Sequence, residues 1–327
     1  GQHAGLDALV VGIVRKKVNW ILDADIRSFF DSVSQDWLIR FPEHRIGDKR
    51  IIRLIRKWLA AGVLEDGVVT VSDKGTGQGS VISPLLANVY LHYVIDLWAR
   101  QWRRREATGD MIIVRYADDL VVGFEHEADA RRFQEAMRAR LEAFALSLHP
   151  DKTRIIEFGR HAAANRARRG LGKPATFNFL GFTFICAKTR RGQFLVKRIS
   201  RRDRMRATLK AVKDTLRRRM HQPIPELGKW LGQVVRGFFN YHAVPTNSAA
   251  LAAFRYHVTR LWQRALLRRG NRDKMTWERI KKLADDYLPQ PRILHDWPER
   301  RFAVTHPRRE PYAGKLHVRF CAGGVQQ

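Results

Sequence analysis

Met111-Ile112-Ile113-Val114-Arg115-Tyr116-Ala117-Asp118-Asp119-Leu120-Val121-Val122-Gly123 sets two runs rich in β-branched residues on either side of Tyr116-Ala117-Asp118-Asp119. Such runs around a short turn read as a β-hairpin, here with two carboxylates at its tip. Carboxylates side by side repel, so a pair turned toward one site is costly unless a cation lies between them. Upstream, Trp20-Ile21-Leu22-Asp23-Ala24-Asp25-Ile26 reads as a strand ending in another acid. Together these acids form an oxygen donor set for two hard divalent ions, as nucleotidyl transfer requires. Taken singly, an Asp-Asp turn is most often a solvated hairpin tip, and many strands end in an acid. What else the chain carries, and in what order, therefore decides between a solvated tip and a metal site.

Composition narrows the partners. The 327 residues are 45% hydrophobic, enough for a sizeable core and more than one domain. Lys and Arg number 61 against 32 Asp and Glu, a net charge of +29, with a pI near 11.1. So large an excess opposes compaction unless a polyanion partner offsets it, which points to nucleic acid. No apolar run reaches the length of a membrane span and no amphipathic anchor stands out, so no membrane partner is expected. Cys186 and Cys321 are the only cysteines. They make neither a disulfide framework nor a zinc-type pair, which suits a reducing cytoplasm, and Cys186 reads as a buried small residue. No signal peptide is visible. The chain opens on Gly and runs straight into helix-like sequence, as a fragment or processed product would.

Residues 1–160 mix strand and helix signals. Leu6–Lys16 reads as a helix and Val18–Ile26 as a buried strand. Asp48–Leu59 is amphipathic, with Ile51, Ile52, Leu54, Ile55, Trp58 and Leu59 on its apolar face. Ser83-Pro84 reads as a hydroxyl cap and first-turn proline for a helix from Leu85 to about Arg105. Phe133, Met137, Leu141 and Phe144 recur at helical spacing, and Arg154–Phe158 reads as a strand. Strand, helix, hairpin, helix, strand is the order of a split βαβ unit. The fold class is then α+β: an antiparallel sheet with helices on one face, followed by a helical domain. Arg160–Gly172 reads as a basic loop, and Phe177–Ile185 with Gln193–Val196 as a small hairpin. Three amphipathic helices follow within 200–300, carrying basic outer faces suited to an anionic duplex. The boundaries read are 1–160, 161–199, 200–300 and a basic tail, 301–327.

Several further residues bear on chemistry. Phe30, five residues after Asp25, is placed to close over an incoming sugar and to clash with a ribose 2′-hydroxyl; its plain reading is core. Gln78 and Gly79 lie in Thr76-Gly77-Gln78-Gly79-Ser80, whose glycines permit close backbone approach near a helix N-terminus; the plain reading is a turn. Lys152 in His149-Pro150-Asp151-Lys152-Thr153 could neutralise a triphosphate and protonate leaving pyrophosphate, where a lone lysine is usually solvated. Leu180 and Gly181 in Phe177-Asn178-Phe179-Leu180-Gly181-Phe182 fit a turn that holds primer backbone, and the aromatics fit core. Asp23 shares a strand face with Asp25 and stands behind it.

These segments in this order resemble the reverse transcriptases of bacterial group II introns, the intron-encoded maturases. The resemblance lies in Leu22-Asp23-Ala24-Asp25-Ile26-Arg27-Ser28-Phe29-Phe30, in Gly77-Gln78-Gly79-Ser80-Val81-Ile82-Ser83-Pro84-Leu85-Leu86-Ala87-Asn88, and in Tyr116-Ala117-Asp118-Asp119. Leu148-His149-Pro150-Asp151-Lys152-Thr153 and Phe179-Leu180-Gly181-Phe182 continue it. Arg236-Gly237-Phe238-Phe239-Asn240-Tyr241-His242 and Leu261-Trp262-Gln263-Arg264-Ala265-Leu266 carry it into the thumb, or maturase, domain. The resemblance implies a right-hand polymerase palm with partial fingers and a helical thumb. It implies two Mg²⁺ ions, with Mn²⁺ as a substitute, held by Asp25, Asp118, Asp119 and the Ile26 carbonyl. Tyr116 joins Phe30, Gln78 and Gly79 at the nucleotide, and Leu180 and Gly181 form the primer grip. RNA would lie along Arg206, Lys210, Lys213, Arg217, Arg236 and Arg264. The partners implied are intron RNA, an RNA template with DNA primer, dNTPs and target DNA, in a bacterial cytoplasm or at its nucleoid. Against the family pattern, the chain starts after the usual N-terminal fingers segments, has Gly77 where many relatives have proline, and ends without a Cys/His-rich nuclease module. Three roles fit: an RNA-directed DNA polymerase of retrohoming, a splicing factor that only binds intron RNA, or a related enzyme recruited to phage defence or CRISPR.

Overall fold

In the computed structural model, helix α1 (Gln2–Arg15) leads into strand β1 (Trp20–Ala24), α2 (Phe29–Ser32), α3 (Gln35–Glu43), α4 (Lys49–Ala60) and a two-stranded ladder of β2 (Val63–Glu65) and β3 (Val68–Thr70). The residues described are 1–60, 63–65, 68–70, 82–269 and 275–305. Ser83 to Arg105 runs as α5 (Ser83–Leu91), a π-helical turn (His92–Asp96) and α6 (Leu97–Arg105). The cap position falls on Ile82, without a side-chain cap, so Ser83 and Pro84 begin the helix and the expected hydroxyl cap is not made. Then come β4 (Met111–Tyr116), β5 (Asp119–Phe124), α7 (Glu127–Glu142), β6 (Arg154–Glu157) and α8 (Ala162–Arg168).

The four strands form one antiparallel sheet in the order β4-β5-β1-β6. Leu22, Ala24, Leu120, Val122 and Phe124 alternate onto one face, where they share a core with Tyr90, Val94, Phe133, Met137 and Leu141. Each of those large side chains contributes about 1.5–3 kcal/mol on burial. The other face is covered in part by α1. Ile112 of β4 reaches so near Gly12 that a Cβ there would stand 2.8 Å from Ile112 Cδ1. The α+β class and the antiparallel sheet are as the sequence reads, with α1 added on the second face.

Arg160–Gly172 is not all loop. Three successive alanines start α8, Gly170 takes a left-handed φ of 68° after its end, and Glu157 of β6 ties the segment down through Arg169 and Asn165. Phe302, near the start of the basic tail, lies buried in α13 (Pro298–Thr305) beside Ala8 and Val11.

Thr176–Arg301 forms a separate compact unit from Gly1–Ala175 with Phe302 onward. It opens with a three-stranded antiparallel sheet, β7 (Phe177–Phe179), β8 (Phe182–Lys188) and β9 (Phe194–Ser200), rather than a two-stranded hairpin. Cys186 is half-buried, not buried, because β8 runs out beyond its covered stretch after Phe184. Helices α9 (Arg202–Arg218), α10 (Ile224–His242), α11 (Ser248–Leu267) and α12 (Trp277–Tyr287) pack around Leu231, Phe254, Val258 and Trp262. Four helices thus stand where the sequence suggests three. Gly228 and Gly232 open the side of α10 to Tyr287; a Cβ at Gly232 would stand 2.6 Å from the Tyr287 carbonyl oxygen. Sheet and helices are clasped by Asn247, which accepts from the Ser200 amide (3.0 Å) and donates to Ser200 Oγ and the His242 carbonyl (both 2.8 Å).

His242 packs on Phe238 and Phe182, with centroids 4.3 and 5.1 Å away, and its Nδ1 is 3.0 Å from Ser200 Oγ. Burial lowers its pKa from 6.5 to about 4. The unfolded imidazole takes a proton near pH 6.5 while the folded one resists it, so this contribution is level above about pH 6.5 and declines down to about pH 4. Melting curves across that window should show the wild type losing up to about 1.4 kcal/mol per pH unit more than His242→Gln. Parallel curves for the two proteins would remove His242 as the cause.

Candidate active site

The hairpin tip is tighter than a four-residue turn. Tyr116 pairs with Asp119 across the ladder, leaving Ala117 and Asp118 as a two-residue loop. Ala117 takes φ 53°, the left-handed value that lets so short a loop match the strand twist. Asp118, half-buried, stands at the tip, and Asp119 is the exposed first residue of β5.

β1 lies beside β5 with Asp23 opposite Val121 and Ala24 opposite Leu120. One step further along this register brings Asp25 to the level of Asp119, so the strand end and the hairpin tip carry their acids at one edge of the sheet. Residues 147–153 hold the end of β1 from its other side. The His149 amide donates to the Asp25 carbonyl (2.8 Å), the Arg27 amide to Ser147 (2.9 Å), and Ile26 bridges to Leu148. The same segment brings Lys152 Nζ to 3.2 Å from Asp25 Oδ2, joining two predicted residues that are far apart in the chain. Asp23 meets Arg154, its partner in register, at 3.4 Å. Phe30 is partly buried, edge-on to Phe29 at 5.3 Å, and packs against the sheet's core. Gln78 and Gly79 lie outside the described residues.

A pair the sequence reading missed supports the tip. Arg115, on β4, forms a two-pronged ion pair with Asp96 of the π-helical turn, both bonds 2.7 Å. Its Nη1 also donates to the Ala117 carbonyl (2.8 Å) and to Asn88 Oδ1 (3.0 Å). Side-chain exposure is 9% for Arg115 and 6% for Asp96, so the pair is shielded from water. One guanidinium thereby fixes the left-handed residue on which the tip turns. The available signal was an acid, Asp96, inside an otherwise apolar helical stretch.

In the second unit, Leu180 (φ 45°) and Gly181 (φ 77°) make the two-residue turn between β7 and β8. Tyr241 donates to the Leu180 carbonyl (2.8 Å) and the Arg201 amide to that of Gly181 (3.1 Å). The six residues assigned to RNA are all exposed, four on α9 and one each on α10 and α11. Of these Lys210, Lys213 and Arg264 line one cavity with Tyr256, His257 and Arg260, which the sequence reading did not pick out.

The acids of the first unit are hard oxygen donors of the kind Mg²⁺ takes. Among the described residues no three His, Cys, Asp or Glu side chains group into a metal cage. The fit to such an ion therefore rests on the chemistry of the donors, the carboxylate oxygens of Asp25, Asp118 and Asp119.

Residues 9–184 match the family model described as reverse transcriptase (RNA-dependent DNA polymerase). The chain belongs to the reverse transcriptase family. Polymerases of this family work with divalent metal ions. The chain is similar to Protein YkfC of Escherichia coli, 30% identical over 46% of this chain and 49% of that one. It is similar to the group II intron-encoded protein LtrA of Lactococcus lactis, 41% identical over 22% of this chain and 12% of that one. It is also similar to the putative COX1/OXI3 intron 1 protein of Saccharomyces cerevisiae, 23% identical over 73% of this chain and 36% of that one. The match thus spans about half or less of each of these relatives' length. These intron proteins bear out the resemblance to group II intron reverse transcriptases and maturases. Among the described residues no helix is long and apolar enough to cross a membrane.

Removing Arg115 would strip the buried Asp96 carboxylate of its guanidinium partner, with His92 Nδ1 at 3.6 Å left beside it. Arg115→Ala should cost about 3–5 kcal/mol in denaturant titrations of the first unit, and Arg115→Met with Asp96→Leu should recover much of it. A cost under about 1 kcal/mol for the single variant would mean that the pair does not hold the hairpin tip.

Proposed function

We propose that this chain is an RNA-directed DNA polymerase of group II intron type, which copies an RNA template from a DNA primer and also binds intron RNA to assist splicing and retrohoming at a DNA target. The observation that carries this reading is the strand register, which brings the end of β1 at Asp25 level with Asp119 beside the hairpin tip, inside a segment that matches the reverse transcriptase family.

Asp25, Asp118 and the Ile26 carbonyl would hold two Mg²⁺ ions, with Asp119 beside them. Such ions, when bound, activate the primer 3′-hydroxyl and stabilise charge on the transferring phosphoryl group. In the reaction the primer 3′-hydroxyl gives up its proton to water, its oxygen bonds to the α-phosphorus of a dNTP, the bond to pyrophosphate breaks, and Lys152 supplies a proton to the leaving oxygen. The Lys152–Asp25 contact supports this role, because it puts the ammonium at the edge where the triphosphate would lie. Phe30, close behind Asp25, favours deoxyribose by crowding a 2′-hydroxyl, and Tyr116 lines the same edge. Gln78 and Gly79 would complete the nucleotide site. Leu180 and Gly181 offer a rigid turn for primer backbone, and Arg206, Lys210, Lys213, Arg217, Arg236 and Arg264 offer charge to RNA. The setting proposed is cytoplasmic.

Primer extension on an RNA template with DNA primer, dNTPs and Mg²⁺ tests the reading. Asp118→Ala should lower the rate by at least about 10²–10³-fold, the scale of losing one charge-stabilising group, while RNA binding persists. Full activity in the variant would overturn it. No extension by either protein, with RNA binding intact, would favour the splicing-factor role.

A further inference from the structure

We propose that the groove between α9 and α11 binds an unpaired nucleotide of RNA, its base stacked on Tyr256 and the neighbouring phosphates held by Lys210, Lys213, Arg260 and Arg264. The proposal deepens the RNA-binding part of the function above and rests on it.

The groove has a volume of about 470 Å³, in the range of sites that hold a single small ligand. Helical spacing builds it. Lys210 and Lys213 are one turn apart on α9, and Tyr256, Arg260 and Arg264 follow each other every four residues on α11. All four cations are exposed, and none forms an ion pair among the described residues. Cations gathered this way repel each other unless an anion sits among them. Phosphate contacts alone would account for the cations but not for the aromatic ring between them.

Tyr256 supplies what a duplex does not need. Its ring is held edge-to-face by Trp277, centroids 5.7 Å apart at 63°, and still leaves the residue 49% exposed. Arg260 is drawn toward Trp277 at 5.8 Å, which keeps the guanidinium beside the tyrosine. A fixed, open ring flanked by cations is a platform for one base, while paired bases stack inside their own helix and present only phosphate and groove.

Fluorescence anisotropy with a short unstructured pyrimidine RNA and with an RNA hairpin duplex separates the cases. Tyr256→Ala should weaken binding of the single strand by about 5- to 150-fold and that of the duplex by less than about 2-fold. Tyr256→Phe, which keeps the ring, should bind the single strand as the wild type does. Arg260→Gln should weaken both and reduce the slope of log affinity against log salt by about one. Equal losses on both RNAs with Tyr256→Ala, or no loss on the single strand, would overturn the groove assignment while leaving RNA binding in place. A wild-type chain that binds neither RNA would overturn the RNA-binding reading itself.

Discussion

The pairing of β1 between β5 and β6 decides where every acid of the candidate site stands. Side chains alternate along a strand, so sliding β1 by one residue against β5 would turn Asp25 to the face now filled by Leu22 and Ala24. The core prevents that slip, because Leu22, Ala24, Leu120 and Val122 are all buried on the helix side. The apolar ladder therefore sets the position of the carboxylates, and the carboxylates add nothing to it.

The tip of the hairpin needs a second constraint, because a two-residue loop with a left-handed alanine stores local strain. Arg115 meets that need from below by donating to Asp96 on one side and to the Ala117 carbonyl on the other. A buried ion pair is a poor way to gain stability, since the desolvation of both charges offsets their attraction. Its use here makes sense as geometry: the planar guanidinium ties the turn to α5 and the π-helical turn through three partners at once. The π-helical turn falls where Asp96 is presented, in keeping with the tendency of such turns to accompany functional sites.

Most of the first unit was legible because period and burial agree. The stripe of Phe133, Met137 and Leu141 repeats at helical spacing, and the runs around Tyr116 and in Trp20-Ile21-Leu22 are continuous because helices cover the sheet on both faces. The four-residue turn was read too long, because positive φ at an alanine leaves no mark in sequence. The three-stranded sheet reads as a hairpin because Phe177–Ile185 is one apolar run, which Leu180 and Gly181 fold back into β7 and β8, and Lys197 and Arg198 look like the end of a strand. Arg198 is in fact buried at 2% exposure, and its amide is answered from outside the sheet by Thr246 at 3.1 Å. Helix α12 was missed since it buries only Ile280 and Ala284, too sparse a stripe to see. Tyr256 and Arg260 were passed over for another reason: they lie off the apolar stripe of α11, and only the packing of α9 beside it gives them a common ligand.

Asp23 and Asp25 show why two acids on one strand face need not share a role. Each meets a basic side chain from the segment after α7, at 3.4 and 3.2 Å. Arg154 is a ladder partner of Asp23, so the strands fix the two backbones opposite each other, while the guanidinium itself is 46% exposed. Lys152 lies ahead of β6, in the turn that begins at His149, and is 63% exposed. A contact so open is worth about 0–1 kcal/mol, and a divalent ion or a triphosphate would displace it at little cost. The counter-charge of Asp25 thus sits on a turn, and that of Asp23 on a paired strand. The difference follows from where β6 begins, two residues after Lys152.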